Sequence, residues 1–222
     1  MTADALERVS VVDQLAASLR ARILDGDLAG DAPLREVELA GRYAVSRHTL
    51  RAALRELARD GLVRIEPNRG ARVVHLAPDE VQALFELRAA LELEAAHLAL
   101  ARHGGRLPTP VHAALASLVA TCRRRRPGWE AIADGHAGLH GALVAAAGSP
   151  RIEASYAALA GELALFLVQL RPTWSPDRMA KHHVALVAGL EQVGPEVLRA
   201  HLADGLADVV STPGGAGGKP AG

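Results

Sequence analysis

Aromatic side chains are nearly missing: the 222 residues hold two Trp, two Tyr and two Phe. A core must therefore be assembled from Leu, Ala and Val, a palette that favours helices over sheets because Ala and Leu are strong helix formers. The single cysteine, Cys122, excludes an intramolecular disulfide and fits a reducing compartment. Lysine is scarce as well, Lys181 and Lys219 standing against 23 arginines; alongside abundant Ala and Gly this is genomic composition bias and carries no functional weight. Net charge is also lacking, with 25 basic and 25 acidic residues, so any hold on nucleic acid has to come from local segregation. No apolar run is long enough for a bilayer: the most apolar, Ala157 to Leu170, spans 14 residues and carries Glu162 and Gln169. The first ten residues lack the apolar centre of a signal peptide, and a soluble cytoplasmic protein is expected.

What is present is enough hydrophobic sequence, 50%, for one large domain or two small ones. Val11 to Leu24 places Val12, Leu15, Leu19 and Ile23 at helical spacing and stops in a turn-rich stretch ending at Pro33. A short helix over about 36–43 carries Leu39 inward. After a turn at Ala44-Val45, Ser46 is an N-cap for a third helix over 47–59, with Leu50, Leu54 and Leu57 on one face. Asp60-Gly61 ends it. Two strand candidates, Leu62–Ile65 and Ala71–His75, flank a tight turn at Glu66-Pro-Asn-Arg-Gly70; the first alternates apolar and polar residues as a half-buried hairpin strand should. Three helices followed by a β-hairpin are the elements of a winged helix-turn-helix.

Beyond residue 79 the strand signals vanish. Six helical segments are expected at about 79–103, 109–125, 128–147, 150–171, 176–192 and 195–211, with prolines mostly near their starts. The last residues form a Gly/Pro tail expected to be disordered. The predicted fold class is mainly α: an N-terminal winged helix-turn-helix over 1–76, a C-terminal all-α helical bundle over 77–211, and a tail over 212–222.

Charge is segregated within the head. Residues 1–34 hold three Arg against six Asp and Glu, whereas residues 35–76 hold nine Arg against five. The positive excess thus falls on the second helix, the third helix and the wing, where phosphate neutralisation would act. The start of the third helix, Ser46-Arg47-His48-Thr49-Leu50-Arg51, is the part that meets base edges in a helix-turn-helix. Arg47 and Arg51 lie one turn apart and can each address guanine O6 and N7. Ser46 and Thr49 suit phosphate or base contacts, and Arg69 at the wing tip suits a minor groove or phosphate. Against this stands the plain alternative of a solvated arginine-bearing helix, which the combination of elements outweighs.

The run Ser18 to Leu28, followed by Glu38-Leu-Ala, Val45-Ser-Arg-His-Thr-Leu-Arg51, Ala53-Leu54, Leu57, Asp60-Gly61-Leu62 and Asn68-Arg-Gly70, resembles the GntR-family DNA-binding domain over about residues 10–76. The resemblance implies that Ser46, Arg47, His48, Thr49 and Arg51 belong to the recognition helix and Arg69-Gly70 to the wing. It departs at Val37, where the family commonly has Arg, with Arg35 two residues earlier as the candidate substitute.

The bundle resembles the FCD effector-binding domain of the FadR-like subfamily, in its smaller six-helix, VanR-like form, through Leu87-Arg-Ala-Ala-Leu-Glu92 and His140 to Pro150. That resemblance implies a divalent metal held by an Asp, a His four residues on and two later His. Here His136 stands at the Asp position, His140 and His183 match the first two histidines, and Gly205 stands where the last is expected, with His201 one turn earlier. His136 and His140 share a face with Ile132, Leu143 and Ala147; His183 shares one with Leu186 and Leu190; His201 lies on the stripe of Leu198, Leu202 and Leu206. Two readings stand: a nitrogen-rich site of His136, His140, His183 and His201 for Zn2+ or Ni2+, or a decayed site whose histidines bond one another, water or an organic ligand. His182 is expected to face solvent. Arg88 matches an arginine that faces the ligand cavity in the family and suits a carboxylate effector; an i,i+4 ion pair with Glu92 is the equal alternative. The run Arg123–Arg126 reads as a solvated helix end.

The expectation is a ligand-responsive transcriptional regulator, a repressor, binding a short palindromic operator as a homodimer. The alternatives are a metal-dependent enzyme with an accessory DNA-binding head, disfavoured because no carboxylate general base is evident beside the histidines and Asp134 lies on another face, and a bundle that only dimerises.

Overall fold

The computed structural model describes residues 10–67 and 69–210. The predicted tail, and Asn68 of the predicted turn, lie outside the described residues. The chain divides into two compact units, one ending at His75 and the other beginning at Leu76.

The first unit runs α1 (Val11–Leu24), β1 (Pro33–Leu34), α2 (Glu36–Tyr43), α3 (Arg47–Arg59), β2 (Val63–Glu66) and β3 (Gly70–Val73). Ser10 starts α1 with a reciprocal cap: the Asp13 N–H donates to its hydroxyl and its own N–H donates to the Asp13 carboxylate. Leu15, Leu19 and Ile23 of α1 meet Leu50, Leu54 and Leu57 of α3 in the core. The turn from α2 to α3 puts Ala44 in the left-handed region, φ 52°, while Gly61 at φ 75° closes α3.

Two features depart from the sequence reading. The sheet has three strands in the order β1-β3-β2, all antiparallel, because the two-residue β1 joins Arg72 and Ala71 on the outer side of β3. In β2 the alternation does not hold: Leu62 and Val63 are both buried, and Ile65, opposite Ala71, is half exposed. With only one face of so short a hairpin against helices, the strand buries its first residues and leaves its tip in solvent.

The second unit is α4 (Pro78–Arg102), α5 (Thr109–Cys122), α6 (Trp129–Ala146), α7 (Pro150–Ala157), α8 (Ala160–Leu170), α9 (Pro176–Gln192) and α10 (Val197–Val210). Among the described residues the bundle therefore has seven helices, one more than expected. The predicted 150–171 helix is bent by 52° between α7 and α8. There the Leu159 N–H donates to Tyr156 three residues back rather than four, tightening the ladder locally. No Pro marks the spot, though Gly161 stands in the first turn of α8. α6 packs against both α4 and α5, and α10 against α4 and α9. The Trp129 indole N–H donates to the Leu167 carbonyl, tying α6 to α8. No single helix among the described residues is long and apolar enough to cross a membrane.

Ala44 carries the cost of a β-carbon in the left-handed conformation, about 1 kcal/mol. Ala44→Gly, at an exposed position, is expected to stabilise the protein by up to about that amount. Chemical denaturation checks it; a destabilised variant would mean that the turn is held by something other than backbone conformation.

Candidate metal centre and nucleic-acid interface

In the head, the expected contact residues Arg35, Ser46, Arg47, His48, Arg51, Arg69 and Gly70 are exposed and Thr49 is half-buried. Ser46 caps α3: its hydroxyl accepts the Thr49 N–H at 3.0 Å and lies 2.8 Å from the Thr49 hydroxyl. Gly70 adopts φ +80° at the start of β3. Arg35 is the N-cap position of α2, without a side-chain capping bond.

The sequence reading missed Glu36. At the first turn of α2, its carboxylate accepts the Arg51 Nε–H at 2.8 and 3.0 Å and lies 3.8 Å from the Arg47 guanidinium. Because Arg51 is held through Nε, the opposite edge of its guanidinium, the two terminal nitrogens that pair with guanine, points away from the carboxylate. The signal was present in the sequence: an acid at the start of one helix of a helix-turn-helix stands beside the start of the next.

In the bundle, four helices converge on one buried cluster. Arg88 and Glu92 come from α4, His136 and His140 from α6, His182 and His183 from α9 and His201 from α10. Glu92 is fully buried and takes both neighbours: the Arg88 Nε–H donates to it at 2.6 Å and the His140 Nδ1–H at 2.8 Å. This corrects the expectation that no carboxylate stands beside the histidines. Glu92 acts on the outer nitrogen of His140, away from the other rings, and so orients the imidazole without facing the space between them.

Tautomers then follow from the partners. His140 gives its Nδ1–H to Glu92. His183 gives its own Nδ1–H to the Met179 carbonyl at 2.8 Å, since a carbonyl only accepts. With both rings neutral in these tautomers neither Nε2 carries a proton, and the two Nε2 atoms lie 3.2 Å apart. His136 closes the group, its ring 4.4 Å from that of His140 and 4.9 Å from that of His183; one nitrogen from each of the three lies within 4.8 Å of the others. Burial, reinforced by neighbouring positive groups, pushes His136 and His140 well below the usual imidazole range, and burial lowers His183 to about 4. These are neutral rings presenting donors.

His201 stands outside the converging set, its ring 4.8 Å from His183 and 5.5 Å from His140. His182 does not face solvent as expected: it is half-buried, stacked on His201 at 4.2 Å and hydrogen-bonded to Asp204. Gly205 is buried beside Phe166, whose Cζ would sit 3.4 Å from a β-carbon there, and Phe166 in turn packs on Phe85. The aromatic pair thus stands beside the position at which the resemblance places another histidine. A cavity of only about 10 Å³ remains between Arg88, the histidines and these rings. Arg88 does form the ion pair with Glu92, yet among the described residues its Nη2 is buried without a hydrogen-bond partner. Burial and the Glu92 carboxylate raise the Tyr156 hydroxyl well above its usual range. Asp134 is exposed, and Arg123–Arg126 are exposed at the end of α5.

The family model for bacterial regulatory proteins of the gntR family matches residues 11–73, and that for the FCD domain matches residues 83–207. The gluconate operon transcriptional repressor of Bacillus licheniformis is 34% identical over 87 residues, covering 39% of this chain and 35% of that protein, so the chain matches about a third of this relative's length. The probable D-xylose utilization operon transcriptional repressor of Paenarthrobacter nicotinovorans is 29% identical over 198 residues, 88% of this chain and 85% of that protein. A GntR chain of known structure from Rhodococcus sp. RHA1 shares the fold with a TM-score of 0.69 at 24% identity, over 91% of this chain and 99% of that one. With a gntR-type head and an FCD domain over more than half its length, the chain belongs to the gntR family of bacterial regulatory proteins, in its FCD-bearing branch.

Proposed function

We propose that the protein is a cytoplasmic, homodimeric repressor that binds a short palindromic operator through α3 and the wing, and that a small carboxylate, bound beside a divalent metal in the bundle, sets its affinity for DNA. The observation that carries this reading is the pair of bare ring nitrogens on His140 and His183 at 3.2 Å, beside a buried, unpartnered Arg88 nitrogen. Two lone pairs at that distance repel unless a proton or a metal cation lies between them. Tetrahedral Zn2+ with bonds of about 2.0–2.1 Å would separate its nitrogens by about 3.3 Å. The donor set fits: His136, His140 and His183 would hold Zn2+ or Ni2+, with His201 the next nitrogen in reach. When bound, the ion supplies a Lewis-acidic seat for an effector oxygen. Arg88 Nη2 would take the other oxygen of a carboxylate. The cavity admits little more than one water, so an effector has to part Phe85 of α4 from Phe166 of α8. α4 begins three residues after the head ends, and its displacement is the route by which ligand and DNA affinities would be coupled.

Binding to fragments flanking its own gene, followed by fluorescence anisotropy, tests the reading. Salt-sensitive affinity is expected, and Arg47→Ala and Arg51→Ala should each cost about 1–3 kcal/mol, the worth of a bidentate guanine contact. Affinity indifferent to both substitutions would contradict it. Glu36→Gln is expected to narrow the ratio of specific to non-specific binding, because it frees Arg51 while removing a charge that repels phosphate; a uniform gain on all sequences would mean that Glu36 only repels.

The histidines also set a pH dependence. Folded, the metal-free His183 ring takes a proton only near 4; unfolded, it does so near 6.5. The unfolded state binds more protons between those values, so metal-free stability is fully present above about pH 6.5 and falls as pH drops toward 4. Melting curves of chelator-treated protein across that window check the slope; a flat profile would place His183 in solvent.

A further inference from the structure

The three converging rings are closed off from water, His140 and His183 being 0% and 1% exposed and His136 5%, so an ion needs a route in. We propose that Asp204, His182 and His201 form an exchange path that passes a divalent transition metal between solvent and the buried cluster. The proposal rests on the metal reading of that cluster.

The groups run in order from outside to inside. The Asp204 carboxylate is 63% exposed, and its Oδ2 lies 3.2 Å from His182 Nε2. The His182 ring, 20% exposed, stacks on His201 at 4.2 Å with an angle of 25°. Its Nδ1 is buried with no hydrogen-bond partner among the described residues. His201 stands edge-on to His183 at 4.8 Å, and His183 Nε2 reaches His140 Nε2. The ring of His201 thus lies 4.2 Å from that of His182 and 4.8 Å from that of His183, and a rotation of His182 and His201 would bring their in-plane nitrogens toward a passing ion. An ion moving along such a series exchanges one donor for another and is never stripped bare in a low-dielectric interior, where an unpaired charge is most costly.

A purely structural pair would not need this arrangement. His182 has one nitrogen committed to an exposed carboxylate and the other to nothing, on a ring whose far side touches Trp174 at 4.7 Å. Trp174 and Arg178 are both tied to Asp208, whereas the Asp204 carboxylate is held by His182.

The test uses the full chain, stripped by chelator and reloaded with Co2+, whose visible absorption reports the ligand field, with Zn2+ removal by excess chelator as the reverse arm. Asp204→Asn and His182→Gln are expected to slow both loading and removal about tenfold or more while leaving the equilibrium Kd unchanged, whereas loss of an outer-shell support would weaken affinity by about 10–100-fold. Asp204→Asn is a surface change and carries the test if His182→Gln proves unstable in melting curves. Unchanged rates, or rates and affinity that change together, would overturn the exchange path while leaving the site. A wild-type chain that binds neither Co2+ nor Zn2+ at equilibrium would overturn both.

Discussion

The buried Glu92 carboxylate is the constraint on which the bundle's chemistry depends. It is shut off from solvent and is met by protein, the Arg88 guanidinium on one side and His140 Nδ1 on the other. That single pairing decides the tautomer of His140, turns its Nε2 toward α9, and leaves one Arg88 nitrogen over. The site is therefore built outward from α4, and its donors are fixed by groups that never touch what lies between them. Removing the carboxylate would strand a buried cation and free the ring at once, a loss of structure and of site together.

The head uses the same device in a wetter setting. Glu36 at the start of α2 holds Arg51 of α3 by its inner nitrogen. Here both partners are exposed enough for water to screen the pair, so its worth lies in aim and not in stability. If α3 meets DNA as proposed, an acid beside Arg51 would weaken attraction to phosphate in general and favour the geometry that reads a base. In both units an acidic residue on another helix fixes the direction of a group whose type alone was evident from the sequence.

How much could be read without coordinates follows from how local each signal is. The helices of the head and the inward faces of α6, α9 and α10 were legible because helical periodicity and caps act within a turn or two; Ser46, His136, His140 and His183 were found that way. The two-residue β1 was not, being defined only by its partner β3 across about forty residues of chain. The bend at Leu159 was not, because no Pro interrupts the run and Gly161 alone is a weak breaker inside an apolar helical pattern. His182 was misread because one helical position separates it from His183, and the face it occupies became inward only when α10 brought His201 and Asp204 against it. Glu92 was seen as a partner for Arg88 but not for His140, a contact between helices nearly fifty residues apart.

The central claim, that two imidazoles are held with bare Nε2 atoms facing one another, is open to direct observation. Nitrogen-15 NMR of histidine-labelled protein distinguishes protonated, bare and metal-bound ring nitrogens. With one equivalent of Zn2+ the account expects Nδ1–H on His140 and His183 and a metal-shifted Nε2 on each. A persistent Nε2–H on either ring, or spectra identical with and without the ion, would contradict it.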